Sequence, residues 1–125
     1  MAYDSSEKDV YIDKRIEEFM TYPAEYLGKH ARSLFGIYTM DHDAYLPKKK
    51  IHWLINYIGS PIFNSCQSLK ENKNSINKKH KEALSYIADL EYHMLYETKD
   101  QTKQKVTEKT IDDLAQMKGC DFESA

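Results

Sequence analysis

The chain has 125 residues, 41% of them hydrophobic, and carries a formal net charge of −2. This length is typical of one domain, so we treat 1–125 as a single domain, and the few glycines and prolines, 4 and 3, favour long helices over a many-stranded barrel. No apolar run approaches the ~20 residues of a membrane span, and the first residues have neither a basic nor an apolar stretch, so we expect no membrane segment and no signal peptide.

The N-terminal third is predicted to hold two helices. Residues 1–8 are polar and expected to fray. A short amphipathic helix is predicted to follow through Met20, and Tyr22-Pro23 breaks it because proline disfavours a helical residue before it. The next helix is predicted from about Ala24 to Ala44. The apolar residues that define the faces of these two helices are Val10, Ile12, Ile16, Phe19, Met20, Leu27, Ala31, Leu34, Tyr38 and Tyr45.

The segment from Lys48 to Gly59 predicts a third helix. Its buried face is defined by the helical spacing of Ile51, Leu54, Ile55 and Ile58. A turn at residues 59–61 and a polar stretch at residues 64–75, the predicted mobile loop, follow it.

The remaining sequence contains the longest helical pattern. A continuous helix is predicted from Ile76 to about Lys99, with a buried seam spaced alternately by four and three residues. The polar run after Lys99 predicts a loop, and Thr107 then predicts the N-cap of a last helix ending before Gly119. Residues 120–125 are expected to fray. The seam residues are Ile76, His80, Ala83, Ile87, Leu90 and Met94.

These elements together predict an all-α fold, with two long helices packed as a hairpin and shorter helices flanking it. A seam of this length on a small chain also predicts a homo-oligomer, in which a partner subunit covers apolar surface.

Enzyme and metal motifs are not recognisable in the sequence, so we expect a non-enzymatic protein without a cofactor or a metal. The cluster Asp41-His42-Asp43 is interpreted as a polar helix end, because adjacent helical residues point in different directions. His80, on the seam, is interpreted as a core or interface histidine. Cys66 and Cys120 are interpreted as reduced thiols in a cytoplasm, because two cysteines form no disulfide framework.

Charge is strongly segregated along the chain. Residues 48–81 hold eight lysines and one acid, whereas the segments on either side are net acidic. Such a block is typical of a polyanion-binding surface. The alternative is a solvated, lysine-rich region that pairs with acidic helices of a neighbouring subunit.

A basic and aromatic set within this block suggests one ligand class. Single-stranded nucleic acid is bound by basic surfaces that follow the phosphates and by aromatic rings on which bases stack. Trp53 and Tyr57 lie one helical turn apart, in line with Lys49, although Trp53 would serve equally as a core residue. The candidate nucleic-acid-binding residues are Lys48, Lys49, Lys50, Trp53, Tyr57, Lys78, Lys79 and Lys81.

Four short segments carry a resemblance to a known group of proteins. They are Tyr11-Ile12-Asp13, Pro23-Ala24-Glu25-Tyr26, the run from Ala88 to Tyr96, and Lys105-Val106-Thr107-Glu108-Lys109. In this order, over about residues 10–118, the chain resembles small helical bacteriophage proteins encoded with recombination genes, and the broader group of phage recombination mediators. The resemblance implies a partner that is a phage recombinase or a single-strand binding protein. The segment from Ile51 to Lys73 departs from that pattern.

The sequence therefore leads to two expectations of function. The first is a phage accessory protein of DNA recombination or replication that binds single-stranded DNA and a protein partner in the cytoplasm of an infected bacterium. The second is a protein–protein interaction module, an assembly factor or an inhibitor of a host enzyme, that binds no nucleic acid.

Overall fold

The computed structural model describes residues 3–21, 24–40, 45–63 and 73–116. Within these residues it contains five α-helices and no strand, so the predicted all-α class is confirmed. In chain order the helices are α1 (Tyr3–Phe19), α2 (Ala24–Met40), α3 (Lys48–Ile58), α4 (Lys73–Tyr92) and α5 (Gln101–Gln116).

The first two helices differ from prediction only at their ends. The helix α1 begins at Tyr3, inside the segment that the sequence predicts to fray. The helix α2 is described to Met40, and the predicted extension to Ala44 lies outside the described residues. Both bury most of the apolar face that their periodicity indicates, with Phe19, Leu27 and Leu34 among the least exposed side chains, but Val10 of the predicted α1 face is 65% exposed.

The helix α3 matches its prediction closely. It begins after Pro47, whose carbonyl accepts a hydrogen bond from the backbone N–H of Ile51 at 3.0 Å. It ends where the N–H of Gly59 donates to the carbonyl of Ile55 at 3.1 Å. Leu54 and Ile58 are buried, whereas Ile55, which the sequence places on the buried face, is 47% exposed.

The long helix predicted from Ile76 to about Lys99 is present with one change of geometry. After α4 the chain continues into a π-helical turn, His93–Glu97, in which the N–H of Thr98 donates to the carbonyl of His93 at 2.9 Å. The seam is buried as predicted at Ala83, Ile87, Leu90 and Met94. Residues 73–75, part of the predicted mobile loop, belong to α4.

The predicted loop and N-cap before the last helix are wrong. The helix α5 begins at Gln101, and Asp100 caps it, because its Oδ1 accepts hydrogen bonds from the N–H groups of Thr102 at 3.0 Å and Lys103 at 3.2 Å. Thr107 lies inside the helix and is fully buried. Its hydroxyl donates to the carbonyl of Lys103 at 2.7 Å.

The helix α4 lies at the centre of the packing. The helix α1 runs closely along it, α2 and α3 also contact it, and α5 packs against α2 and the π-helical turn. This arrangement does not single out two long helices as a hairpin, so that detail is not confirmed. Leu84, Leu90 and Leu114 lie fully within the shared core, where each buried side chain of this size contributes about 1.5–3 kcal/mol.

None of the helices in the described part of the chain is long and apolar enough to cross a membrane.

Candidate nucleic-acid interface

The three consecutive lysines of α3 lie in its first turn. Lys48, Lys49 and Lys50 are exposed, and no acidic residue accompanies them in that turn. The N-terminus of a helix carries partial positive charge from its free N–H groups, so lysines there are electrostatically unfavourable for the folded chain. The same arrangement concentrates positive potential at one point on the surface, which favours an anion.

Trp53 follows one turn later and stacks on Tyr57. Their ring centres are 5.1 Å apart and their planes differ by 6°. Tyr57 is only 8% exposed, so it lies beneath the indole and supports it, and only Trp53 of this pair has exposed surface that a base can reach. The two residues that the sequence places on one stripe are therefore in contact, but with different roles.

Tyr86 of α4 completes the aromatic cluster. The sequence analysis did not assign this tyrosine to the site. Its ring meets that of Trp53 edge-on at 5.8 Å, and the Lys50 ammonium lies 5.0 Å from its centre, a cation–π contact. Burial, with a smaller contribution from Glu82, raises the pKa of Tyr86. The sequence signal that could have identified Tyr86 is its position two helical turns after Lys79, which places both residues on the same face of α4.

The three lysines of α4 are exposed but do not share one direction. Lys79 lies on the face of Tyr86, toward α3, whereas Lys81 lines a cleft of about 480 Å³ with Asp13 and Glu17 of α1. Lys78 lies between these two directions on the helix. Lys79 therefore shares a helix face with Tyr86, whereas Lys81 lies beside acidic groups. We call Lys48, Lys49, Lys50, Trp53, Lys79 and Tyr86 the α3–α4 surface.

The base of this surface is a buried histidine. His80 is fully buried, with its ring 4.7 Å from that of Phe63 and 6.3 Å from that of Tyr57. Neither ring nitrogen has a hydrogen-bond partner. Burial lowers the pKa of His80 to about 4, so the ring is neutral at physiological pH. The prediction of a core histidine is confirmed, and His80 adds no charge to the surface.

A second polar cluster joins α1 to the end of α4. The Lys8 ammonium lies 2.7 Å from Asp89, and the Tyr45 hydroxyl bonds to the same carboxylate at 3.0 Å. The Tyr45 ring stacks on His93 with centres 4.1 Å apart. Although burial opposes its charge, hydrogen bonds to Asp89 and Tyr45 raise the pKa of Lys8. A lysine held protonated in this way is no nucleophile, and the cluster connects helices.

Among the described residues, no group of three or more histidines, cysteines, aspartates or glutamates could hold a metal ion. Several residues discussed from the sequence lie outside the described part of the chain. These are Asp41, His42, Asp43, Cys66 and Cys120.

No protein-family model, no curated protein and no solved structure matches this chain.

Proposed function

We propose that this chain is a non-enzymatic accessory protein of phage DNA recombination or replication, and that it binds single-stranded DNA through the α3–α4 surface. The observation that supports this proposal is the position of Trp53. Its partly exposed ring meets Tyr86 of α4 edge-on, the Lys50 ammonium lies over the same Tyr86 ring, and the lysine-rich first turn of α3 is one turn away.

The chemistry of single-stranded DNA fits this arrangement in two ways. Its phosphates pair with Lys48, Lys49, Lys50 and Lys79, and the N-terminus of α3 adds favourable potential. Its unpaired bases present flat rings, and one of them stacks on Trp53. In a duplex the base faces are already stacked on one another, so the same surface prefers a single strand.

The phage setting and the protein partner rest on the sequence resemblance alone. In this role the partner is a phage recombinase or a single-strand binding protein, held by the acidic helices, and the location is the cytoplasm of an infected bacterium. The net negative charge of the segments flanking the lysine block keeps phosphate away from the partner-binding side.

A fluorescence anisotropy titration of a labelled oligothymidylate against salt tests DNA binding. The logarithm of affinity should fall linearly with the logarithm of salt, with a slope of about −0.7 per phosphate contacted. Replacing Lys48, Lys49 and Lys50 by alanine should flatten this slope. The matched control replaces Lys29, Lys99 and Lys105, which are also exposed but lie elsewhere. No binding by the folded wild type at low salt, or an equal effect of the control, overturns the proposal.

A second candidate function is a protein–protein interaction module, and the position of Lys81 favours it. This lysine shares a cleft with Asp13 and Glu17, as expected if the basic block serves to pair with carboxylates rather than phosphates. In this reading Trp53 is a packing residue, held by Tyr57 and Tyr86. The same titration separates the two functions, because the module shows no DNA binding at any salt concentration.

A further inference from the structure

A groove of about 700 Å³ lies between α1 and α5. The π-helical turn forms its floor with Leu95 and Tyr96. Lys14 lines the α1 wall, and Glu108, Ile111 and Asp112 line the α5 wall. We call this feature the α1–α5 groove. It has an apolar strip and a charged rim, as surfaces that receive an amphipathic helix do.

The α5 wall offers carboxylates that are not engaged. Glu108 and Asp112 lie one turn apart on the same helix face, both exposed, and neither forms an ion pair within the described part of the chain. By contrast, Arg15 at the groove is already bonded to Glu18 and Glu91. The groove therefore presents a pair of free negative charges beside its apolar floor.

Exposed apolar side chains lie at the same place. Tyr96 is 64% exposed on the floor. Val10, which does not line the groove but lies on α1 one turn before Lys14, is 65% exposed. Large apolar side chains this exposed on neighbouring elements indicate a surface that another molecule covers.

The chain itself carries a helix face with the complementary chemistry. Along α3, Lys48, His52 and Ile55 follow one another at helical spacing on the side away from the buried Leu54. All three are exposed, and Ile55 is the apolar member. This face combines a cation with an apolar contact on one short helix, which matches the acidic and apolar parts of the groove.

We propose that the α1–α5 groove binds α3 of a second copy of this chain. Ile55 of that copy packs against Leu95 and Tyr96, and its Lys48 pairs with Glu108 and Asp112. The contact joins two different surfaces of the chain, so repeating it forms either a closed ring or an open-ended oligomer. A single short helix in a groove buries less than the ~1,200 Å² of a stable interface, so the association is weak and depends on concentration.

Sedimentation velocity of the full chain over a range of concentrations tests the proposal. Wild type should show a sedimentation coefficient that rises with concentration. The variants K48E and E108K/D112K should each remain monomeric. The combined variant K48E/E108K/D112K, in which both partners have changed sign, should associate again. The control is D9K, which reverses an exposed acid on the other side of α1 and should behave as wild type.

Mixing the two single-surface variants gives a second readout that misfolding cannot imitate. An equimolar mixture of K48E and E108K/D112K should associate, because each supplies a groove or a helix that complements the other. A wild type that is monomeric at every concentration, or association that survives E108K/D112K, overturns the proposal. Because Lys48 also belongs to the α3–α4 surface, only E108K/D112K separates this proposal from DNA binding, since Glu108 and Asp112 lie outside that surface.

Discussion

The Nε atom of Arg15 in α1 lies 3.3 Å from Oε1 of Glu91 in α4, and the Tyr11 hydroxyl donates to the same oxygen at 3.2 Å. Glu91 is 2% exposed. Burial raises the pKa of Glu91 to about 7, with Arg15 and Tyr11 opposing that rise. Arg15 and Tyr11 therefore hold α1 against α4 through the carboxyl group of Glu91, which changes charge near neutral pH.

Arg15→Met should destabilise the fold more at pH 8 than at pH 5. At pH 8 the Glu91 carboxylate is left buried without its cation, which costs about 3–5 kcal/mol, whereas at pH 5 the carboxyl is protonated and neutral. Urea denaturation at both pH values measures the difference. Lys14→Met, at an exposed neighbouring position, is the control and should change stability by less than about 0.5 kcal/mol. Equal costs of Arg15→Met at both pH values would contradict the assignment.

His80 should make stability decrease as pH falls. Its folded pKa is about 4 and its ordinary value is 6.5, so the unfolded chain binds the extra proton first and folding loses free energy as pH drops from 6.5 to 4. The loss amounts to about 3 kcal/mol at the lower end. The contribution of Glu91 to stability has the opposite pH dependence. Because burial raises its pKa to about 7, Glu91 stabilises the fold below pH 4.5, and this stabilisation is lost as the pH rises to 7.

Measuring the two groups separately requires one variant for each. In Glu91→Gln stability should rise from pH 4 to pH 6.5, because burial lowers the pKa of His80 and, to a smaller extent, that of His30. In His80→Leu the contribution of Glu91 should dominate, with stability falling from pH 4.5 to pH 7 against the smaller opposing contribution of His30. Chemical denaturation at half-unit steps of pH gives both curves. A His80→Leu variant that loses as much stability on acidification as wild type would show that His80 is not the group responsible.

Asp100→Ala should cost about 0.5–2 kcal/mol, because it removes the acceptor for two N–H groups at the start of α5. Lys99→Ala, at the adjacent exposed position outside the helix, is the control and should be close to neutral. Thermal denaturation of the two variants provides the comparison. If Lys99→Ala were as costly as Asp100→Ala, the capping role of the aspartate would be excluded.

Leu90→Asp should cost several kcal/mol, since it places an unpaired charge in the core where Leu90 is fully buried. Lys78→Asp, a change on the exposed side of the same helix, separates burial from helix propensity and should be tolerated. An unchanged melting temperature of Leu90→Asp would refute the assignment of Leu90 to the buried seam.

The helices were predictable because their signal is local. Spacings of three and four residues, broken by Pro23 and Pro47, locate α1 to α4 within a few positions, and the buried seam follows from the same periodicity. The start of α5 was not predictable from the sequence, because Asp100 and Thr107 are both good N-cap residues and the polar residues between them resemble a loop. They instead belong to a helix in which Lys103 and Thr107 are buried, and the Thr107 hydroxyl contacts the Met94 sulfur.

The candidate site was predictable only in part, for the same reason. The lysines and Trp53 of α3 are visible as a short pattern, whereas Tyr86 enters through contact between two helices that are distant in sequence. The burial of Tyr57 depends on Phe63 and His80 in the same way. The α1–α5 groove depends on two helices from opposite ends of the chain, so no local pattern indicates it.

Trp53→Ala distinguishes the two proposed functions by combining affinity with stability. If a base stacks on the indole, the variant should lose about 1–3 kcal/mol of binding free energy for single-stranded DNA. Trp53 also covers Tyr57, so some loss of stability is expected in either case, and the binding assay must be made well below the melting temperature.

Trp53→Phe supplies the matched comparison for this experiment. Phenylalanine keeps an aromatic face above Tyr57, so it should retain most of the stability and part of the stacking, with affinity between those of wild type and alanine. Anisotropy titration and a thermal melt on the same three proteins give both quantities. If the melting temperature falls from wild type to Trp53→Ala while the affinity for DNA stays constant, Trp53 is a packing residue. DNA binding would then depend on the lysines alone.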